Sequence, residues 1–155
     1  MSGDEKQRFF AVVNGAAGGG RCRSRFDRAH RRLTEAGIAL DIHFTNGPGH
    51  AVELVHEAYA SGQRRFLVVG GDGTSYEAIN GLFAGDAEPE GVVLGMLPLG
   101  TGNSFLRDFG ITSEDAALEA IVRGRRRAID VVRCEHDEGV VHYANILSIG
   151  FTARA

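Results

Sequence analysis

The sequence predicts a doubly wound, Rossmann-like α/β domain, and three observations carry that expectation. Short apolar runs rich in β-branched and aromatic residues recur along the chain, as strands buried on both faces of a parallel sheet require. Stretches with helical apolar spacing separate those runs. Glycine clusters follow three of the runs directly.

Phe9–Val13 forms the first run, and Gly15, Gly18, Gly19 and Gly20 follow it. Residues 24–36 place Phe26, Ala29, Leu33 and Ala36 on one helical stripe, with Gly37 suited to the C-terminal cap. Ala39–Thr45 reads as the second strand. Residues 49–61 group Ala51, Leu54, Val55 and Ala58, and Gly62 ends that helix. Phe66–Val69 is the third run, ahead of Gly70, Gly71 and Gly73. A helix over 74–83 carries Ala78, Ile79 and Leu82. Val92–Leu97 is the fourth run, ahead of Gly100 and Gly102. A helix over 113–123 carries Ala116, Ala117, Ala120 and Ile121, with Thr112 and Asp115 spaced as a capping box.

The pattern changes after Arg127. Ile129–Cys134 and Val140–Leu147 read as two strands joined by a tight turn at His136–Gly139. No helix separates them, so they are expected to pair antiparallel. A boundary at Gly124–Arg127 divides the chain into 1–125 and 126–155.

Composition narrows the function. A length of 155 residues suits one domain, or one domain and part of a second. With 43% hydrophobic and 24% charged residues, the chain is neither disordered, collagenous nor a coiled coil. Net charge is −3, which gives no reason to expect nucleic acid as a partner. No apolar run approaches the ~20 residues of a transmembrane helix, and the polar start MSGDEKQR does not resemble a signal peptide. Cys22 and Cys134 cannot make a disulfide framework or a zinc site, and His50 and His56 are wrongly spaced for a metal pair. Cytoplasmic residence is the expectation. His30, His136 and His142 are expected at the surface or in turns. Cys22, flanked by Arg21 and Arg23, is expected to be an inert thiol rather than an activated one.

Glycine makes up about 14% of the chain, 22 of 155 residues. It is concentrated where ligands bind in open α/β sheets, at the carboxyl ends of the strands. Glycine lets backbone approach a ligand closely, and helix N-termini favour phosphate. A phosphate-bearing ligand, most simply a nucleotide, follows. Asn14–Gly20 alone is weak, being neither a P-loop nor a dinucleotide fingerprint, and no lysine lies near it. Gly70-Gly71-Asp72-Gly73-Thr74 is stronger. There the glycines would admit triphosphate while Asp72 handles Mg²⁺ or a proton. The plainer reading is a turn in which Asp72 or Thr74 caps the helix. Pro98–Ser104 adds Thr101 as a ligand contact and Asn103 as the cap of a following helix.

Gly70–Thr74, followed by Glu77 and Asn80-Gly81, resembles the GGDGT signature of the diacylglycerol kinase catalytic-domain family. NAD kinases share the first element. The stretch Leu94–Asn103 with Phe105 and Arg107 resembles the PxGTGNDxAR element of the lipid kinases, which NAD kinases lack. Val12–Asn14 with Ala17–Gly20, and Thr45 with Gly47–Ala51, match further family elements. Ile129-Asp130 and Asn145–Phe151 are similar to the opening strands of the family's second domain, a β-sandwich. The resemblance implies a diacylglycerol-kinase-like fold followed by the first strands of a truncated sandwich. It implies transfer of the γ-phosphoryl of ATP, with Mg²⁺, to a lipid hydroxyl, on diacylglycerol or a sphingoid base.

The implied nucleotide-binding residues are Asn14, Gly15, Ala16, Ala17, Gly18, Thr45, Gly70, Gly71, Asp72, Gly73, Thr74, Ser75, Tyr76, Gly100, Thr101, Gly102 and Asn103. Asp72 and Glu77 are the candidate catalytic residues and Asp72 the metal ligand, Glu77 being equally readable as a dipole-facing carboxylate. Peripheral association with a membrane is implied, and homodimerisation is allowed. Arg123–Arg127 could touch anionic headgroups or serve as a solvated linker. Gly15, Tyr76, Ser104 and Thr152 depart from the family pattern, which has proline, asparagine, aspartate and aspartate there. The family's acidic glycine loop in the second domain has no counterpart in these 155 residues, so a fragment without turnover is the alternative to an enzyme. NAD kinase is the other alternative.

Overall fold

The computed structural model describes residues 8–101 and 103–144. Readings on Met1–Gln7, on Gly102, and on Asn145–Ala155 (including the strand end at Leu147 and Thr152) lie outside the described residues.

Four parallel strands form the central sheet: β1 (Arg8–Val13), β2 (Ala39–Phe44), β3 (Arg65–Gly70) and β4 (Val93–Pro98), in the order β2-β1-β3-β4. Val13 lies opposite both Phe44 and Val69, and Val69 opposite Leu97, so the carboxyl ends are level. Helices α1 (Cys22–Glu35), α2 (His50–Ala60), α3 (Asp72–Leu82), α4 (Ser104–Arg107) and α5 (Glu114–Val122) complete the layers. This is the α/β alternation the apolar runs predict.

Alternation along the strands divides the core in two. Phe9, Ala11, Val13, Leu67, Val69 and Leu97 pack with α1 and α5 through Phe26, Leu33 and Leu118. Val12, Phe66, Val68 and Met96 pack with α2 and α3 through Val55, Ile79 and Leu82. Each fully buried large side chain contributes about 1.5–3 kcal/mol of burial free energy. Gly81 lets α2 and α3 meet closely, since a Cβ there would lie 2.5 Å from the Val52 carbonyl oxygen.

The strand order has a consequence for function. From β1 the chain winds outward to β2, then returns to β3 on β1's other side. The crevice between the ends of β1 and β3 is therefore a topological switch point, where such sheets bind ligands.

Several local expectations shift. Helix α5 is capped by Ser113, whose hydroxyl accepts from Ala116 N at 3.1 Å, rather than by a Thr112–Asp115 box. Glu114 and Asp115 instead pair with α1, Glu114 with Arg25 at 3.1 Å and Asp115 with Arg32. Cys22 is fully buried, and that burial pushes its thiol pKa up against the opposing charge of Arg25. Burial and a raised pKa are what an unreactive thiol requires.

Beyond the sheet, β5 (Val132–His136) and β6 (Gly139–Tyr143) form an antiparallel hairpin. The first of these strands begins at Val132, not Ile129, because the ladder ends where Val132 meets Tyr143. His142 is not at the surface. It is 9% exposed, and its ring stacks on Phe83 at 4.2 Å.

Candidate functional site

Three glycine loops meet at the carboxyl edge of the sheet. After β1, the Asn14 N–H donates to the Val69 carbonyl at 2.9 Å, and its side-chain Nδ2 donates to Thr74 Oγ1 at 3.1 Å. The first and second loops are thereby tied together. After β4, Leu99 N and Gly100 N both donate to the Gly70 carbonyl at 2.9 Å, tying the third loop to the second. Thr45, at the end of β2, donates from its N–H to the Val13 carbonyl at 2.9 Å.

The glycines are required by this convergence at particular points. A Cβ on Gly100 would lie 2.3 Å from Gly71 Cα, and one on Gly18 would lie 2.6 Å from the Leu99 carbonyl oxygen. Gly18 also holds φ at +61°. Other glycines face open space: nothing lies within 4 Å of a Cβ built on Gly19, Gly20 or Gly73. The assembly is closed between loops and open toward the outside, which suits a backbone cradle for an external group.

Asp72 stands at the centre. Helix α3 begins at Asp72 itself, two residues earlier than predicted, and has no side-chain cap of its own. Neither Asp72 nor Thr74 caps that helix. Thr74 is 5% exposed and is taken by Asn14. Asp72 caps α4 instead, across 32 residues of sequence. Its Oδ2 accepts from Ser104 N and from Ser104 Oγ, both at 2.9 Å, and its Oδ1 accepts from Phe105 N at 3.3 Å. Burial pushes the Asp72 pKa upward, but the Ser104 and Phe105 hydrogen bonds and the Arg107 charge outweigh it and hold the carboxyl below its ordinary value. The group is an anion fixed between two helix N-termini.

This arrangement displaces Asn103 from its expected capping role. Asn103 adopts φ 54°, and its Nδ2 turns back to the Gly100 carbonyl at 2.7 Å. Its Oδ1 is buried without a hydrogen-bond donor among the described residues. Glu77 is directed elsewhere: its carboxylate accepts from Ala51 N, in the first turn of α2, at 3.3 Å. The N-cap of that helix is Gly49, which has no side chain to serve it.

A pocket opens beside Asp72, walled by Tyr76, Ile79, Met96, Phe105 and Tyr143. A second, lined by Gly70, Gly71, Pro98 and Asn103, shares Asp72, Ser75, Met96 and Phe105 with the first. Apolar wall and loop cradle thus adjoin at one carboxylate. Among the described residues no group of three or more His, Cys, Asp or Glu side chains could hold a metal ion. A cation here would rest on Asp72 with ligand oxygens, a donor set that Mg²⁺ accepts when phosphates supply the remainder. The undonated Asn103 Oδ1 is a further oxygen of the kind such an ion or its water takes.

Ser104, Phe105 and Arg107 also belong to this site, although the sequence shows them only within the third loop and the family element, with no role of their own. The Ser104 and Phe105 hydrogen bonds to Asp72, and the Arg107 charge that acts on it, depend on tertiary packing, which sequence spacing does not show.

A family model described as the diacylglycerol kinase catalytic domain matches residues 8–134. A diacylglycerol kinase of Bacillus subtilis is 35% identical over 103 residues, 65% of this chain and 33% of that protein. A diacylglycerol kinase of Mycobacterium tuberculosis is 30% identical over 145 residues, 91% of this chain and 45% of that protein. A protein of Yersinia enterocolitica named a probable YegS-like lipid kinase is 34% identical over 127 residues, 81% of this chain and 42% of that protein. The crystal structure of a diacylglycerol kinase from Bacillus anthracis superposes with TM-score 0.68 at 30% identity, over 81% of this chain and 45% of that one. The chain spans less than half the length of each of these relatives.

Proposed function

Because the chain belongs to the diacylglycerol kinase catalytic-domain family, a family of lipid kinases, we propose that it is the nucleotide-binding part of an enzyme that transfers the γ-phosphoryl of ATP to a lipid hydroxyl. The observation that carries this reading is the meeting of three glycine loops around Asp72 at the β1/β3 switch point. Residues 1–125 form the nucleotide domain in this reading, and 126–155 open a second domain.

Phosphoryl transfer asks for positioning and charge neutralisation more than for covalent chemistry. Asn14–Gly18, Thr45, Gly70–Tyr76 and Gly100–Asn103 would surround the nucleotide. The uncapped N-terminus of α3 supplies N–H donors of the kind that bind phosphate. Bound Mg²⁺ would neutralise phosphate charge, with Asp72 as its protein ligand. Asp72 is held ionised, so it suits a cation better than a proton. Glu77 acts here by fixing α2 against α3. The apolar wall of Tyr76, Met96, Phe105 and Tyr143 would face the lipid acceptor. Among the described residues no helix is long and apolar enough to cross a membrane. A lipid acceptor would, in this reading, be met at a membrane surface.

The test uses the full-length protein with radiolabelled ATP, Mg²⁺ and vesicles carrying diacylglycerol or a sphingoid base. Label in the lipid extract, lost in Asp72→Ala, is the expected result. Failure to label either lipid overturns the reading. The 155 residues alone are expected to bind nucleotide without turnover.

A further inference from the structure

We propose that Ser104 is a positioning residue for phosphoryl transfer, its hydroxyl deciding which oxygen of Asp72 remains free for the reaction. The inference rests on the kinase reading above and adds to it a residue with no role there.

The geometry is asymmetric. Oδ2 of Asp72 receives two hydrogen bonds from one residue, the Ser104 N–H and the Ser104 hydroxyl, both at 2.9 Å. Oδ1 receives one longer bond, from Phe105 N at 3.3 Å. A carboxylate oxygen that accepts two short bonds has little capacity left, whereas one holding a single long bond can still take a cation or a water. Ser104 therefore commits Oδ2 to structure and leaves Oδ1 available. Any residue but proline could supply the backbone bond, but the second bond needs a hydroxyl at this position.

Position 104 also sets the charge of the site. A carboxylate there would face Asp72 as a like charge and could not donate to it. With serine, one acid and a neutral donor stand where two acids would otherwise meet. Among the described residues, the charged and titratable groups around Asp72 are Arg107 on α4 and, across the pocket, Tyr76 on α3 and Tyr143 on β6. None of these replaces the Ser104 hydroxyl in the hydrogen bonds to Asp72.

The experiment compares full-length wild type, Ser104→Ala and Ser104→Thr in the lipid-phosphorylation assay, with melting temperatures measured in parallel. Losing one hydrogen bond to a charged group should lower kcat about tenfold. The KM for ATP should stay within about twofold, because the glycine cradle is untouched. Ser104→Thr, which keeps the hydroxyl, should restore kcat. A helix-cap role alone would lower the melting temperature without this kcat-against-KM split. Should Ser104→Ala fail to fold, Ser104→Cys keeps the shape of the side chain with a somewhat larger atom, gives up the strong donor, and enters the same comparison. Wild-type turnover with unaltered kcat in the variant overturns this proposal alone. So does a kcat loss that threonine fails to rescue. Absence of wild-type turnover overturns the kinase reading itself.

Discussion

The side-chain amide of Asn80 pairs with the backbone of His142 as one strand pairs with another. Asn80 Nδ2 donates to the His142 carbonyl at 2.8 Å, and His142 N donates back to Asn80 Oδ1 at 2.9 Å. Asn80 lies on α3, the helix that begins at Asp72, so a single rigid element carries both the central carboxylate and the clamp on the β5–β6 hairpin. That clamp holds Tyr143 over the pocket beside Asp72.

Asn80→Ala removes both bonds and leaves the His142 backbone groups without their partner. Leaving buried polar groups unsatisfied costs about 1–3 kcal/mol. The expected outcome is faster amide hydrogen exchange at His142 and along β6, with β1 and β3 unaffected. Equal protection in variant and wild type would show that the hairpin is held by other contacts.

The same hairpin should respond to pH. Burial lowers the His142 pKa below its ordinary 6.5, with the Arg133 charge acting in the same direction. A depressed histidine is neutral when docked, and it binds its proton more readily once released. The docked hairpin is therefore fully favoured above about pH 6.5 and weakens as pH falls toward the folded-state pKa. NMR titration of the His142 ring should place its midpoint below 6.5. His142→Phe, which can keep the stack on Phe83, should remove this part of the pH dependence.

Two glycines should behave oppositely. Gly100→Ala forces a Cβ to within 2.3 Å of Gly71 Cα, backbone that cannot swing away. Overpacking of this kind costs about 1–3 kcal/mol or more and should separate the second and third loops. Gly73→Ala meets nothing within 4 Å, so the fold should keep its stability. If the open side of the cradle receives phosphate, Gly73→Ala should weaken ATP binding while leaving the melting temperature unchanged. Calorimetry and thermal denaturation of the two variants separate the effects.

Asp72→Asn keeps a side chain of similar shape and removes the charge. In the kinase reading it should lower lipid phosphorylation at least about a hundredfold. It should also cost about 1 kcal/mol of stability, since the α4 cap is weakened. The folded-state Asp72 pKa lies below its ordinary 3.8, so its stabilisation is complete above that value and lost as pH falls through the folded pKa. Denaturation measured across that window should show a smaller acid dependence in Asp72→Asn than in wild type.

Much of this was legible in the chain itself. Apolar runs such as Phe66–Val69 require burial on both faces, and the helical stripes between them leave few arrangements other than a wound parallel sheet. The glycine clusters marked the strand ends where the three loops meet, and the antiparallel hairpin followed from two runs with only a turn between them. Tertiary structure decided the partners. Asp72 reaches Ser104 across 32 residues, Asn14 reaches Thr74 across 60, and Asn80 reaches His142 across 62. Asp72 and Asn103 look like caps of their own neighbouring helices, and Glu77 looks like a group of the ligand site. Asp72 and Glu77 are claimed by backbone or hydroxyl groups far along the chain, while Asn103 turns back to the Gly100 carbonyl. Periodicity is a local property that one stretch of chain expresses alone, whereas a hydrogen bond between loops exists only once the sheet has brought their strand ends side by side.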